Sequence, residues 1–241
     1  MCVGKPKSGE QSYRVYLVKD EKEEDLKLED AAKLAAFFNS KFFHETVTSN
    51  NLAIPCGRFE QSFRIDDGDI SYLVFVTRFE KGWRARELSE NELCLVAEKI
   101  GAIHAINTAS MSPEFLRVVE ENYENIQNYQ TSIEPQLLKI MYEAIEGELA
   151  KYFSLPNEVM PRLEKIVANE DEEERPTPSE RVVCHGRLTA DNCYFKENLD
   201  KGGATGHPIE LVDVTDWENI HFGDVACDLS NLIISSAEPS I

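Results

Sequence analysis

Two strand-like segments near the C-terminal end, joined by polar loops, constrain the fold of this chain most strongly. The first reads Val-Val-Cys-His-Gly-Arg-Leu-Thr-Ala-Asp-Asn-Cys-Tyr-Phe over residues 182–195. The second, residues 209–229, begins Ile-Glu-Leu-Val-Asp-Val-Thr-Asp-Trp. β-Branched and aromatic residues favour strands, and a His-Gly pair favours a turn. The two segments therefore predict a strand–loop–strand unit whose loops carry chemically useful side chains.

The first 80 or so residues predict a small sheet with one helix. Residues 13–18 form a strand-like run, and apolar residues then recur at helical spacing over residues 28–42. Two further strand-like runs, residues 58–65 and 70–77, flank an Asp67-Gly68 pair that is typical of a hairpin turn. We expect these runs to pair antiparallel, and we expect the chain after Thr77 to be a hinge.

The middle of the chain predicts helices. Ser89 and Glu92 have the spacing of a capping box, in which the two residues satisfy free amides at a helix start. Another helix is expected from Ser112-Pro113, because proline is tolerated at the first helical position. Periodic stretches follow over residues 137–149 and 160–167, then an acidic linker at 170–174 and a final helix over 224–235. The sequence thus predicts an α+β fold with a sheet-rich part, residues 1–82, and a larger helical part, residues 83–241.

Composition excludes several classes of partner. The 241 residues include 44 acidic and 25 basic ones, a formal net charge of −19. Such a field repels phosphate backbones and anionic lipids, so we expect no nucleic acid and no membrane surface as partner. The six cysteines form no CxxC pair, and no apolar run approaches the ~20 residues of a membrane span. These features predict a reduced, cytoplasmic protein.

Three blocks of residues carry a resemblance to a known family. Their spacing resembles the catalytic core of the choline-kinase and aminoglycoside-phosphotransferase-like family, especially its CHK kinase-like branch. The family pattern is H-G-D-x-x-x-x-N, then I-D-W, then G-x-x-x-x-D-L. The matching residues are His185, Gly186, Asn192, Asp216, Trp217, Gly223, Asp228 and Leu229.

The resemblance implies a two-lobed, protein-kinase-like fold that uses ATP and Mg²⁺. Phosphoryl transfer needs a metal ion on the phosphates, and Mg²⁺ prefers hard oxygen ligands. By the resemblance, Asn192 and Asp216 would hold the metal, while His185 and Asp228 would support the loop through hydrogen bonds. His104 resembles a histidine of the helix that packs beneath the site.

One departure from the family pattern concerns the catalytic step. The family's aspartate after His-Gly accepts the proton of the acceptor hydroxyl, whereas this chain has Arg187 there. A guanidinium is always protonated and cannot act as a general base. Asp191 is near in sequence, but we expect it to point elsewhere. Arg187 can instead pair with Asp216 or bind a phosphate.

The N-terminal region departs as well. The segment Ser-Gly-Glu-Gln-Ser-Tyr-Arg-Val-Tyr, residues 8–16, resembles the family's phosphate-covering loop with one glycine left. The lysine that contacts phosphate would be Lys19 or Lys27, with Glu29 or Glu45 as its helix partner. The chain also ends soon after Asp228-Leu229, whereas family members continue with further helices, so we expect a truncated C-terminal part.

Simpler readings of the same residues exist. His185 and Asn192 taken singly are explained as turn residues, and the joint spacing of the three blocks argues against that. A zinc site built from Cys184, His185, Cys193 and His207 lacks the usual ligand spacing, so core cysteines are the better interpretation.

Two functional hypotheses remain from the sequence. The first is a pseudokinase that binds a nucleotide or a small molecule, with ATP and Mg²⁺ or with no cofactor at all. The second is an active ATP-dependent small-molecule phosphotransferase with an atypical catalytic loop. A truncated gene product that folds poorly is a third reading. The sequence favours the first because of Arg187, and it leaves the acceptor and the oligomeric state open.

Overall fold

The N-terminal part is built around a three-stranded antiparallel sheet. The computed structural model describes residues 11–20, 26–106, 112–146, 181–197 and 209–236. The strands are β1 (Ser12–Lys19), β2 (Arg58–Asp67) and β3 (Ile70–Phe79), in the order β1-β3-β2. The predicted strands and the antiparallel hairpin are confirmed. The hairpin turns at Gly68, whose φ of 62° is easily adopted only by a residue without a Cβ.

One face of this sheet packs on a helix. Burial alternates along β1, as expected of a strand with one covered face. On that face Tyr16 stacks on Phe75, with ring centroids 4.2 Å apart. The helix α1 (Leu28–Ser49) adds Phe37, whose ring lies 5.1 Å from that of Phe75. The helical periodicity over residues 28–42 is thereby confirmed.

The next two helices follow their capping signals. Helix α2 (Glu90–His104) begins at the predicted capping box, in which the Glu92 carboxylate accepts hydrogen bonds from the Ser89 amide at 2.8 Å and its hydroxyl at 2.7 Å. Helix α3 (Pro113–Glu146) begins at the predicted proline.

Helix α3 differs from the prediction in its length. It runs for 34 residues and passes Pro135, so the stretch that begins at Leu137 continues α3 instead of forming a helix of its own. A proline removes one backbone hydrogen bond and need not end a helix. No helix in the described ranges is long and apolar enough to cross a bilayer. The periodic stretch 160–167 and the linker 170–174 lie outside the described residues.

The C-terminal part contains the predicted strand–loop–strand unit. Strand β4 (Val182–Cys184) pairs antiparallel with β7 (His221–Gly223), and β5 (Cys193–Glu197) pairs antiparallel with β6 (Ile209–Val214). Short 3₁₀ turns, Ala190–Asn192 and Trp217–Asn219, connect these strands, and helix α4 (Val225–Ser236) follows them. The predicted strands and the final helix are confirmed, and the described fold is the expected α+β mixture.

A continuous core joins the two parts of the chain. Phe43 of α1 stacks on Trp217, with ring centroids 3.9 Å apart, and both side chains are almost fully buried. After β3, Trp83 exchanges two backbone hydrogen bonds with Phe195 of β5, at 2.8 and 2.7 Å. The chain therefore crosses from the sheet to the β5–β6 hairpin just after residue 82. The division into domains at that residue stays a prediction.

The stack of Phe43 on Trp217 gives a stability test. We expect Phe43→Ala to lower the free energy of unfolding by about 3–5 kcal/mol, because it removes a fully buried ring and leaves a cavity. Phe63→Ala makes the same chemical change on a side chain that is 43% exposed, and should cost less than about 1 kcal/mol. Urea unfolding of both variants checks the difference, and equal losses would contradict the central place of Phe43 in the core.

Candidate active site

The buried carboxylate of Asp228 holds the turn after β4 in place. Its Oδ2 accepts the His185 amide at 2.8 Å, and its Oδ1 accepts the Gly186 amide at 2.9 Å. The ring Nε2 of His104, at the end of α2, lies 3.0 Å from Oδ2. Burial acts to raise the pKa of Asp228, but these hydrogen bonds outweigh burial and hold the pKa below its usual value. The first turn of α4 is thereby fixed to the loop and to α2.

His185 connects this turn to the end of β6. Its Nε2 lies 2.7 Å from the Thr215 carbonyl oxygen, and its Nδ1 lies 3.2 Å from the Arg187 amide. The pattern requires a neutral ring that donates from Nε2 and accepts at Nδ1. Burial lowers the pKa of His185, which favours the same neutral form. The ring therefore fixes the loop relative to Thr215, the residue before Asp216.

Gly186 is required by the tight approach of two loops. Its φ is +80°, and a Cβ at this position would lie 2.3 Å from the Asn219 carbonyl oxygen. Real Cβ atoms do not come that close to backbone. A residue with a side chain would have to push the β4 loop away from the Trp217–Asn219 turn.

Asn192 is positioned through both its amide group and its backbone. Its Nδ2 donates to the Arg187 carbonyl oxygen at 2.8 Å, and its own carbonyl oxygen accepts the Thr215 amide at 2.9 Å. Among the described residues, no hydrogen bond uses its Oδ1. The side chain is thus held by its nitrogen, while its oxygen remains available to a cation.

Asp216 follows Thr215 in a left-handed backbone conformation. Its φ of 64° and ψ of 47° are uncommon for a residue with a side chain, although aspartate tolerates them better than most. Its side chain is exposed and forms no ion pair or hydrogen bond within the described part of the chain. Because Thr215 is hydrogen bonded to Asn192, the backbone brings Asp216 close to Asn192. Together they offer two hard oxygen ligands.

Arg187 is exposed and is not held by a carboxylate. Within the described ranges its guanidinium has no acidic partner within 4.0 Å, so the expected alternative of an ion pair with Asp216 is not formed. Asp191 is 70% exposed, and its carboxylate lies 4.0 Å from Arg84. The loop therefore presents an unpaired cation at the position of the family's catalytic aspartate.

The predicted phosphate-contacting lysines lie at the end of β1 and just before α1. Lys19 is the last residue of β1, Lys27 precedes α1, and both are exposed. The expected helix partners bind other lysines: Glu29 lies 2.6 Å from Lys33, and Glu45 lies 2.9 Å from Lys41. The choice between Lys19 and Lys27 stays a prediction.

The zinc interpretation has no support from the geometry. His185 is engaged by Thr215, and His207 lies outside the described residues. Another group, His104, Cys184 and Asp228, has its ligand atoms within 4.8 Å of one another. A metal there would have to break the direct hydrogen bond between His104 and Asp228. Cys56, Cys94, Cys184, Cys193 and Cys227 are free thiols.

The sequence analysis missed a buried ion pair beside this site. Arg14 of β1 places Nη2 2.9 Å from Oδ2 of Asp213 in β6. Burial raises the pKa of Asp213 to about 6, although Arg14 acts in the opposite direction. Burial also acts to lower the pKa of Arg14, but electrostatic interaction with Tyr16 and Asp213 and the hydrogen bond to Asp213 raise it above its usual value. The available signal was an acidic residue inside the apolar run Ile-Glu-Leu-Val-Asp-Val.

Comparison with known proteins identifies the family. The sequence model of the ecdysteroid kinase-like family matches residues 72–241. The chain belongs to the ecdysteroid kinase-like family. This membership confirms the kinase-like resemblance of the three motif blocks, and the match includes every site residue of those blocks. No curated protein matches the chain significantly.

A solved structure is similar to this family member at low identity. It is a thermostable mutant of aminoglycoside phosphotransferase APH(4)-Ia, in a ternary complex with ADP and hygromycin B. The identity is 14% and the TM-score is 0.40, over 80% of this chain. This chain spans 60% of the length of that one.

Two glycines with positive φ give a matched test of the loop. Gly186→Ala and Gly68→Ala both place a side chain in the left-handed region, at about 1–2 kcal/mol each. Gly68 has nothing within 4 Å of an added Cβ, whereas Gly186 meets the Asn219 carbonyl. In urea unfolding, we expect Gly186→Ala to lower the free energy of unfolding by ~1–3 kcal/mol more than Gly68→Ala does. Equal losses would contradict the tight packing of the two loops.

The raised pKa of Asp213 predicts a pH dependence of stability. The folded state binds the Asp213 proton more tightly than the unfolded chain does, whose aspartates titrate near about 3.9. The resulting stabilisation is complete below that pH and is lost as the pH rises through about 6. Urea unfolding of wild type and Asp213→Asn at pH 4.5 and 7.5 should show the wild type losing roughly 1–3 kcal/mol relative to the variant. Asp69→Asn, in the exposed hairpin turn, is the control and should not change the pH dependence.

Proposed function

We propose that this chain is a pseudokinase of the ecdysteroid kinase-like family, a ligand-binding module with a degraded phosphotransfer site. One observation carries the proposal. The loop after β4 is held by hydrogen bonds to Asp228 and within itself, yet its catalytic position holds Arg187, exposed and without a carboxylate partner among the described residues.

The chemistry of phosphoryl transfer explains why this residue matters. An acceptor hydroxyl must lose its proton as it attacks the terminal phosphate, and a nearby base accepts that proton. General-base assistance typically contributes ~10²–10⁴-fold to the rate. Arg187 cannot accept a proton, because a guanidinium stays protonated at any physiological pH. It can still hold a phosphate oxygen through charge-assisted hydrogen bonds.

The residues present fit a magnesium ion. Asn192 offers an unused side-chain oxygen, and Asp216 offers an unpaired carboxylate. These two residues would hold the metal, and Mg²⁺ bound there would neutralise charge on the phosphates of ATP. His185 and Asp228 would act indirectly, by fixing the loop that carries Asn192. Lys19 or Lys27 would contact phosphate.

An active phosphotransferase with an atypical loop is the second candidate. The side-chain oxygens of Asn192 and Asp216 favour it. Both have no partner in the described structure, and a metal-binding role explains this better than a role in folding does. In that case the acceptor's proton would leave to a phosphate oxygen or to solvent instead of to residue 187. Such an enzyme would keep its metal dependence.

The expected partners follow from charge and cysteine chemistry. A net charge of −19 disfavours nucleic acid and anionic membranes, so a nucleotide or another small molecule is the partner we propose. The free thiols of the five described cysteines agree with a reducing compartment, and we place the protein in the cytoplasm.

Calorimetric titration with ATP, with and without Mg²⁺, tests the proposal. We expect Arg187→Asp to raise the affinity for Mg·ATP at least ~10-fold, because it removes a cation next to the metal ligands and adds a carboxylate. Arg117→Asp makes the same change on the exposed surface of α3 and should leave the affinity unchanged.

A turnover assay separates the two candidates. ADP release is measured for both proteins with ATP and a panel of hydroxyl acceptors, comprising sterols, sugars and amino alcohols. We expect wild type to release ADP at less than about one-hundredth of ordinary kinase rates, which are ~1–100 s⁻¹. Wild-type turnover within that range, abolished by Arg187→Asp, would overturn the pseudokinase proposal and favour the active enzyme.

A further inference from the structure

Arg14 lies in the space between the N-terminal sheet and the β5–β6 hairpin. Its guanidinium carbon is 4.4 Å from the ring centre of Phe79 in β3 and 5.8 Å from that of Tyr194 in β5. These are the distances at which two aromatic rings pack against each other. A planar group from β1 therefore occupies an aromatic slot, defined by Phe79, Tyr194 and Asp213, that joins the two parts of the chain.

The ion pair with Asp213 fixes the guanidinium in this slot. The side chain of Asp213 is 1% exposed and that of Arg14 is 19% exposed, so water solvates neither charge fully. Removal of one partner from a buried pair is strongly unfavourable, because the other charge is left without compensation. A ligand that displaced Arg14 would have to bear that cost in full.

The slot is adjacent to the residues that would hold the metal. Tyr194 lies two positions after Asn192, and Asp213 lies three positions before Asp216. Tyr194 and Asp213 are directly opposite each other in the β5–β6 ladder. Along both strands, the slot is therefore next to the residues that would hold the phosphates of a nucleotide through a metal ion.

We propose that Arg14 is a specificity-determining residue: it fills the aromatic slot from within the chain and so excludes the planar base of a nucleotide. This inference rests on the proposed function, since it takes the phosphate end of the site to lie at Asn192 and Asp216. It goes further by stating that Arg14 occupies the space in which the other end of a bound nucleotide, its base, would lie. The ligand class that remains is a metal-bound phosphate compound whose other end is not a stacked aromatic base.

Wild-type protein alone gives the first test, with one probe that carries a nucleoside on its triphosphate chain and one that does not. We expect Mg·ATP and Mg·tripolyphosphate to bind wild type with affinities within ~3-fold of each other by calorimetry, because the base adds no contact. Mg·ATP binding at least ~10-fold tighter would overturn the inference.

Two double variants separate the volume of Arg14 from its charge. Arg14→Val with Asp213→Val removes both charges and empties the slot, and valine suits both strands. Arg14→Met with Asp213→Leu removes the same charges but leaves the slot filled. Replacement of a buried ion pair by apolar residues is often neutral for stability, and thermal unfolding of both variants checks that they fold.

Adenosine, which has a base and no phosphate, is the probe for these variants. We expect its affinity to rise at least ~10-fold in the emptied variant and to stay at the wild-type value in the filled one. An equal rise in both variants, or no rise in a folded emptied variant, would overturn the inference.

The proposed function has a separate readout. Mg·tripolyphosphate probes the phosphate end, and its affinity should increase with Arg187→Asp and stay the same in both double variants. A loss of that response with an intact adenosine response would contradict the metal site at Asn192 and Asp216 while leaving the base-excluding slot in place. An intact tripolyphosphate response to Arg187→Asp without the expected adenosine response would contradict the role of Arg14 and leave the proposed metal site in place.

Discussion

The carboxylate of Asp228 is the group on which the site depends. It is buried, and it accepts hydrogen bonds from two consecutive amides of the His185-Gly186 turn and from the ring of His104. Bonds between a charged acceptor and neutral donors are stronger than ordinary ones, and a buried carboxylate without them would be very costly. Helices α2 and α4 and the loop after β4 are therefore fixed relative to one another by a single side chain.

Because of this arrangement, the conformation of the loop does not depend on which side chain stands at position 187. Arg187 takes part in the loop through its backbone only: its amide donates to His185, and its carbonyl accepts from Asn192. Its side chain is exposed and forms no hydrogen bond or ion pair within the described ranges. The fold therefore tolerates many side chains at this position, and a cation can replace an acid while the loop keeps its geometry. Membership in a kinase-like family indicates the fold, and in the function proposed above the chemistry depends on the side chain at residue 187.

The sequence predicts those features that have local signals. The hairpin at Asp67-Gly68, the capping box at Ser89 and the strands β4 to β6 depend on residues within a few positions of one another. The ion pair between Arg14 and Asp213 was missed because its partners are 199 positions apart, and no short pattern connects them. The periodic stretch from residue 137 is predicted separately from the helix that begins at Pro113, whereas α3 continues through both for 34 residues.

The two arginines act on different parts of an approaching ligand. The net charge of −19 is screened over about 8 Å at physiological ionic strength, so local cations decide where an anion can bind. Arg187 is exposed and without an ion pair in the described ranges, so its uncompensated charge opposes a cation at the neighbouring Asn192 and Asp216. The charge of Arg14 is already compensated by Asp213 and largely buried, so Arg14 offers volume in place of attraction. Under these proposals a phosphate compound would be held through a metal ion at Asn192 and Asp216, and it would meet no uncompensated charge from Arg14 at the β5–β6 hairpin. Such a site would favour a ligand that has a charged end and no stacked base.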